Sequence, residues 1–161
     1  MKKYSVGIVP GSFDPITLGH VNIIERAAEL CSCVYVAVMI NAQKKYMFNI
    51  DERKRIAEAA CAELDNVKVI SSEGMLYELA RELSAEAIIK GVRNEVDRAY
   101  ELEMAKYNAE HYEKAVTVLL DADDSMLTLS STLVREKIEN GGSLVNLLPK
   151  GAIDEIKKIR K

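Results

Sequence analysis

The run VPGSFDPITLGH, Val9 to His20, gathers two glycines, two prolines, a serine, a threonine and a histidine within twelve residues. That company suits the holding of an anion. Gly11 lets the backbone turn tightly or approach a ligand closely, while Pro10 and Pro15 stiffen the loop on either side. Thr17 is a fit cap for a following helix whose first turn carries Gly19 and His20, so free N–H groups, the positive end of a helix dipole and an imidazole meet at one place. The plainer alternative is a strand-to-helix turn with a solvated histidine. The stretch is neither a G-x-G-x-x-G fingerprint nor a Walker A loop, which removes the main support for nicotinamide and P-loop readings.

Three further stretches offer related chemistry. In DDSMLTLSSTLVREKI, Asp123 to Ile138, either Ser130 or Ser131 serves as the N-cap of a helix, with hydroxyls and free N–H groups facing one way. In IIKGVRNEVDRAYELEMAKYN, Ile88 to Asn108, a strand ends in Lys90-Gly91-Val92-Arg93, two cations around a glycine. Such a group at a strand end is placed for phosphate contact. Lys44 and Lys45, in NAQKKYMF, follow another strand and are long enough to reach a neighbouring loop. Singly, these are also what capping and solvated surface charge look like. Together they converge on one rim, and their coincidence says more than any one of them.

The elements that must position them follow from periodicity. Short apolar runs, each of the length of a buried strand, fall at Tyr4 to Val9, Val34 to Ile40, Val67 to Ile70, Ala87 to Lys90 and Val116 to Leu120. Between them, Leu18 to Leu30, Asp51 to Leu64, Met75 to Leu83 and Val96 to Tyr112 carry the three-and-four spacing of helices, with Asp51 as the expected N-cap of the second. Strict alternation implies parallel pairing, hence an α/β, Rossmann-like fold with a five-stranded parallel sheet and helices on both faces. The tail turns helical, from Ser130 to Glu139 with a stop at Asn140-Gly141-Gly142, then from Pro149 to Ile159. In such sheets ligands sit beyond the carboxyl ends of the strands, where all four stretches lie. No repeat or linker interrupts the chain, so residues 1–161 are expected to form a single domain.

Composition narrows the partners. At 48% hydrophobic and 29% charged residues the chain can bury a substantial core, and its net charge of -3 lacks the clustered basic excess of a nucleic-acid coat. No apolar run approaches a membrane span, and MKKYSVGIVP is too short for a signal core, so a cytoplasmic protein with no membrane partner is expected. Cys31, Cys33 and Cys61 lack the spacing of a zinc site and read as reduced thiols. His111, the other histidine, falls in a charged helical segment and reads as solvated.

Thr17-Leu18-Gly19-His20 and Leu129-Ser130-Ser131-Thr132-Leu133-Val134-Arg135 together resemble the paired T-x-G-H and S-S-[ST]-x-x-[RK] elements of the nucleotidyltransferase superfamily. With Pro10 to Pro15, Lys44-Lys45-Tyr46-Met47-Phe48, Gly91-Val92-Arg93, Asp97 and Tyr100-Glu101, the chain is similar along its length to the phosphopantetheine adenylyltransferase family. The resemblance implies transfer of AMP from ATP to 4'-phosphopantetheine, giving dephospho-coenzyme A and pyrophosphate, with Mg²⁺ assisting and a homohexameric assembly. It makes His20 the catalytic, transition-state-stabilising residue. It assigns ATP to Ser12, Phe13, His20, Gly91, Val92, Arg93 and Glu101, and to Met126, Leu127, Thr128, Leu129, Ser130, Ser131 and Thr132. It assigns 4'-phosphopantetheine to Ser12, Lys44, Leu76 and Lys90, and no residue to a metal. Relative to the family pattern, Lys90 stands for the usual Arg, Leu129 for Ile, Thr132 for a third Ser and Tyr46 for a frequent Pro. Lys90 brings a point charge without the bidentate fork of Arg. Adenylyl transfer to a nicotinate mononucleotide, cytidylyl transfer and a non-catalytic nucleotide-binding module are the alternatives.

Overall fold

The computed structural model describes residues 2–161. Strands β1 (Tyr4–Gly11), β2 (Cys31–Met39), β3 (Val67–Ser72), β4 (Ala87–Val92) and β5 (Val116–Asp121) alternate with helices α1 (Leu18–Leu30), α2 (Ile50–Ala60), α3 (Leu76–Glu82) and α4 (Glu95–His111). A 3-10 turn at Asp124–Met126 leads into α5 (Ser131–Glu139) and α6 (Lys150–Ile159). Every pairing is parallel and the sheet order is β3-β2-β1-β4-β5. The chain steps outward from β1 to β3, then crosses back to β4 on the far side of β1. Loops leaving β1 and β4 therefore diverge, and a crevice opens beyond their carboxyl ends.

The pleat sends neighbouring residues to opposite faces, and two apolar layers result. On one face Val9, Val34, Val36, Val38 and Ile89 pack with Ile24 of α1, Ile56 of α2, Val134 of α5 and Ile156 of α6. On the other, Ile8, Ala37 and Ile88 meet Leu79 and Ala80 of α3. Both faces are covered, as the Rossmann-like reading requires.

The differences from the expected boundaries have local causes. β1 runs on to Gly11 and β2 starts at Cys31, because the ladder holds from Tyr4↔Cys31 to Gly11↔Val38. The cap of α2 is Asn49 and not Asp51: Asn49 Oδ1 accepts the Glu52 N–H at 2.8 Å while Glu52 Oε1 accepts the Asn49 N–H at 2.9 Å, a reciprocal capping box. The same helix stops at Ala60 rather than Leu64, since Cys61 leaves the helical region and the Leu64 N–H turns back to the Cys61 carbonyl. Ser130, and not Ser131, caps α5 through a 3.1 Å bond from the Leu133 N–H. β3 and β5 are not buried strands: as sheet edges they contain no fully buried residue, and Val116 is 49% exposed.

All three cysteines are free thiols, with Cys31 and Cys61 buried. His111 is exposed but stacked, its ring 4.4 Å from that of Tyr107 and 4.5 Å from that of Tyr77. Among the described residues, no helix is long and apolar enough to cross a membrane.

Candidate active site

A cavity of about 490 Å³ occupies the crevice, within the size range of small-molecule sites. The turn after β1 forms its first wall. Phe13 adopts a left-handed backbone with φ of 48° and is buried, its ring tucked under Gly11. A Cβ on Gly11 would stand 2.9 Å from that ring, so only glycine lets the loop fold over it. The Phe13 ring also meets the His20 imidazole edge-on, with centroids 5.0 Å apart.

His20 is held by the start of α1. Its Nδ1 accepts the Thr17 N–H at 3.0 Å, and the Thr17 hydroxyl accepts the His20 N–H at 3.3 Å, so histidine fills the place of the Glu or Gln of a capping box. Because Nδ1 is the acceptor, the neutral ring carries its proton on Nε2. Burial, and secondarily the Arg93 cation, push the imidazole down to about 4. At neutral pH His20 is thus an uncharged hydrogen-bond donor on the cavity wall.

The start of α5 supplies the facing wall and is tied to the β1–α1 loop. Ser131 Oγ donates to the Pro15 carbonyl at 2.8 Å, and Arg135 Nη1 donates to the Asp14 carbonyl at 2.7 Å. Ser130, Ser131, Thr132 and Arg135 border the same cavity as Thr17, Gly19 and His20. Two helix N-termini therefore share one space, whose free N–H groups and dipoles favour negative charge.

Cations complete the rim. Lys90 Nζ lies 3.0 Å from Glu101 Oε2, and Arg93 Nε lies 3.3 Å from Asp97 Oδ2, which also accepts the Arg93 N–H at 3.2 Å. Arg135 Nη1 stands 3.8 Å from Asp14 Oδ2. Lys44 comes in from the loop after β2. At Gly91 a Cβ would meet Ile23 Cγ1 at 2.9 Å, so the strand end packs against α1 only without a side chain.

Of the residues singled out from sequence, Ser12, Phe13, His20, Lys44, Lys90, Gly91, Arg93 and Glu101 line the cavity. So do Met126, Leu129, Ser130, Ser131 and Thr132. Val92 is turned into the core at 2% exposure, and Leu127 and Thr128 are exposed and do not line the cavity. Leu76 borders an adjoining pocket of about 60 Å³ that shares Lys90 and Glu101 with the main one. Sequence reasoning missed Arg135 and Asp97 as wall residues, although both stand inside the quoted motifs. It also missed Arg53, a charge on the apolar stripe formed with Ile56 and Ala57 that is buried behind Ser12.

Comparison with known proteins gives the family. The model of the cytidylyltransferase-like family matches residues 8–137, a span that contains both helix starts. A phosphopantetheine adenylyltransferase of Clostridium perfringens is 39% identical over 153 residues, 95% of this chain and 93% of that protein. Proteins of the same name from Finegoldia magna and Psychromonas ingrahamii are 39% and 38% identical, covering 98% and 88% of this chain and 97% and 88% of theirs. With likeness of that depth running through nearly the whole length, the chain belongs to the phosphopantetheine adenylyltransferase family of cytidylyltransferase-like proteins.

Proposed function

We propose that the protein transfers AMP from ATP to 4'-phosphopantetheine, releasing pyrophosphate and forming dephospho-coenzyme A. The observation that carries this is the convergence of His20 and the start of α5 on one cavity rimmed by Lys44 and Lys90. An acceptor phosphate is already a nucleophile at neutral pH, so no covalent enzyme intermediate and no strong base is required. What the site must supply is alignment of two anions and stabilisation of charge as the bond from the α-phosphorus to the bridging oxygen breaks.

Each group has a matching role. The acceptor phosphate oxygen attacks the α-phosphorus, with Lys44 and Lys90 holding that phosphate. The neutral His20 donates from Nε2 to the phosphate oxygens on which charge grows, consistent with a pKa far below neutrality. Arg93, Arg135 and the α5 hydroxyls hold the departing pyrophosphate end. Among the described residues, no three His, Cys, Asp or Glu side chains converge as metal ligands. Asp14, Asp97 and Glu101 each face a cation instead. Magnesium, which the family resemblance implies, would enter with ATP and supply neutralisation of charge on the phosphates.

Association into a homo-oligomer, a hexamer by family resemblance, belongs to the same reading. It is supported by α4, which exposes Val96 at 79%, Tyr100 at 62% and Leu102 at 56% and buries only Asn108. A cytoplasmic single-domain enzyme completes the proposal. The test is pyrophosphate release from ATP or CTP with 4'-phosphopantetheine or nicotinate mononucleotide as acceptor. Release is expected only for ATP with 4'-phosphopantetheine; turnover with the mononucleotide and none with phosphopantetheine overturns the assignment.

A further inference from the structure

Arg53 on α2 is 1% exposed, an unusual fate for a guanidinium. Its Nη1 donates to the Ser12 carbonyl at 2.8 Å and to the Met39 carbonyl at 3.1 Å, linking the loop after β1 to the end of β2, while its Nε has no partner among the described residues. The guanidinium lies 3.8 Å from the centroid of the Tyr46 ring, well inside cation–π range. The Tyr46 hydroxyl in turn accepts the Asn41 N–H at 2.9 Å, closing residues 41–46 into a loop. Burial pushes the phenol up, but the Asn41 N–H, the Ser12 side chain and the Arg53 and Lys44 charges outweigh it and hold the group below its ordinary value. At the other end, Met47 and Phe48 donate their N–H groups to the Asp14 carboxylate at 2.9 and 3.0 Å. The loop is thus fastened on both sides, and the residue it delivers to the cavity is Lys44.

We propose that Tyr46 and Arg53 are positioning residues for the acceptor substrate: the stacked pair fixes the 41–46 loop so that Lys44 is presented to the acceptor phosphate without a further ordering cost. A lysine on an untethered loop loses backbone and side-chain freedom when it engages a ligand, and a pre-formed loop avoids that loss. The Tyr46 ring performs in this chain what a proline performs by restricting φ, through tertiary contact instead of covalent geometry. The inference rests on the reading of Lys44 as a ligand of the acceptor phosphate.

The test uses the full chain with Tyr46→Ala, Tyr46→Phe and Arg53→Lys, measuring KM and kcat for each substrate, thermal stability, and amide hydrogen exchange over 41–46 without substrate. Tyr46→Ala is expected to raise KM for 4'-phosphopantetheine about tenfold, with kcat and KM for ATP within about twofold, and to speed exchange of the loop amides. Tyr46→Phe, which keeps the stack, recovers most of that KM. If Arg53→Lys fails to fold, Tyr46→Ala carries the test alone. Equal rises in both KM values with a lower melting temperature, or unchanged exchange over 41–46, overturn the proposal. A wild-type chain that does not use 4'-phosphopantetheine sinks the assigned reaction, while the exchange measurement still decides whether the clamp exists.

Discussion

Replacing His20 disturbs two things that the structure keeps apart. In His20→Ala the Thr17 N–H loses its acceptor at 3.0 Å, and Thr17 is only 1% exposed, so water does not readily replace it. Leaving such a buried N–H unpaired costs about 1–3 kcal/mol. For a chain of 161 residues that is a fall of several degrees in Tm, at roughly 2–4 °C per kcal/mol. The same change removes the Nε2 donor from the cavity, and loss of one pre-organised donor to a charged transition state costs about 10²–10³ in kcat. His20→Gln separates the two effects: its side-chain carbonyl takes over the Thr17 N–H, as in an ordinary capping box, but the imidazole donor is gone. Melting curves and steady-state pyrophosphate release on wild type and both variants decide the matter. Gln is expected to restore the Tm while kcat stays depressed. A Gln variant as unstable as Ala refutes the capping argument, and an Ala variant within tenfold of wild-type kcat refutes the donor argument.

Three other outcomes follow from packing and charge. His20 has a folded pKa of about 4 against an ordinary 6.5, so the unfolded chain binds a proton that the folded one refuses; stability is full above pH 6.5 and falls on acidification toward pH 4 by on the order of 3 kcal/mol, and urea titrations that give His20→Gln the same acid slope would contradict this. Gly91→Ala forces a methyl to within 2.9 Å of Ile23 Cγ1, a clash costing about 1–3 kcal/mol, with a raised KM for ATP as the strand end shifts; an unchanged denaturation midpoint and KM would show that Ile23 yields freely. Burial pushes the Cys61 thiol up to about 11 and raises Cys31 as well, so both resist a thiol reagent at pH 7 until denaturant is added, and fast native-state labelling of Cys61 would count against that.

What could be read in the residues, and what could not, divides along physical lines. Helix α1 is found at Leu18–Leu30 as expected, because its cap and its apolar stripe are both local signals. Strand ends were misplaced because pairing sets them: nothing within Cys31-Ser32-Cys33 announces a strand, and Tyr4 across the ladder makes it one. Ser130 and Ser131 were equivalent as caps until the fold gave the Ser131 hydroxyl to the Pro15 carbonyl. The shared cavity was legible from four strand-end and helix-start motifs, since parallel topology brings such positions to one rim. The tautomer of His20, set by the Thr17 N–H, and its depressed pKa, set by burial and then by the Arg93 cation, depend on the folded surroundings of the ring. Arg53 left a faint one, a cation at a position where the helix repeat calls for an apolar side chain.

The carboxylates beside Lys90, Arg93 and Arg135 bear on selectivity. With those three positive charges already answered, a stray inorganic anion gains little from any one of them, and the positive potential left over belongs to Lys44 and the two helix starts. A small anion that displaces one carboxylate merely exchanges one partner for another. A ligand long enough to span both helix starts and Lys44 collects several such exchanges together with contacts that no internal acid satisfies. Discrimination then grows with the reach of the molecule rather than with its charge alone.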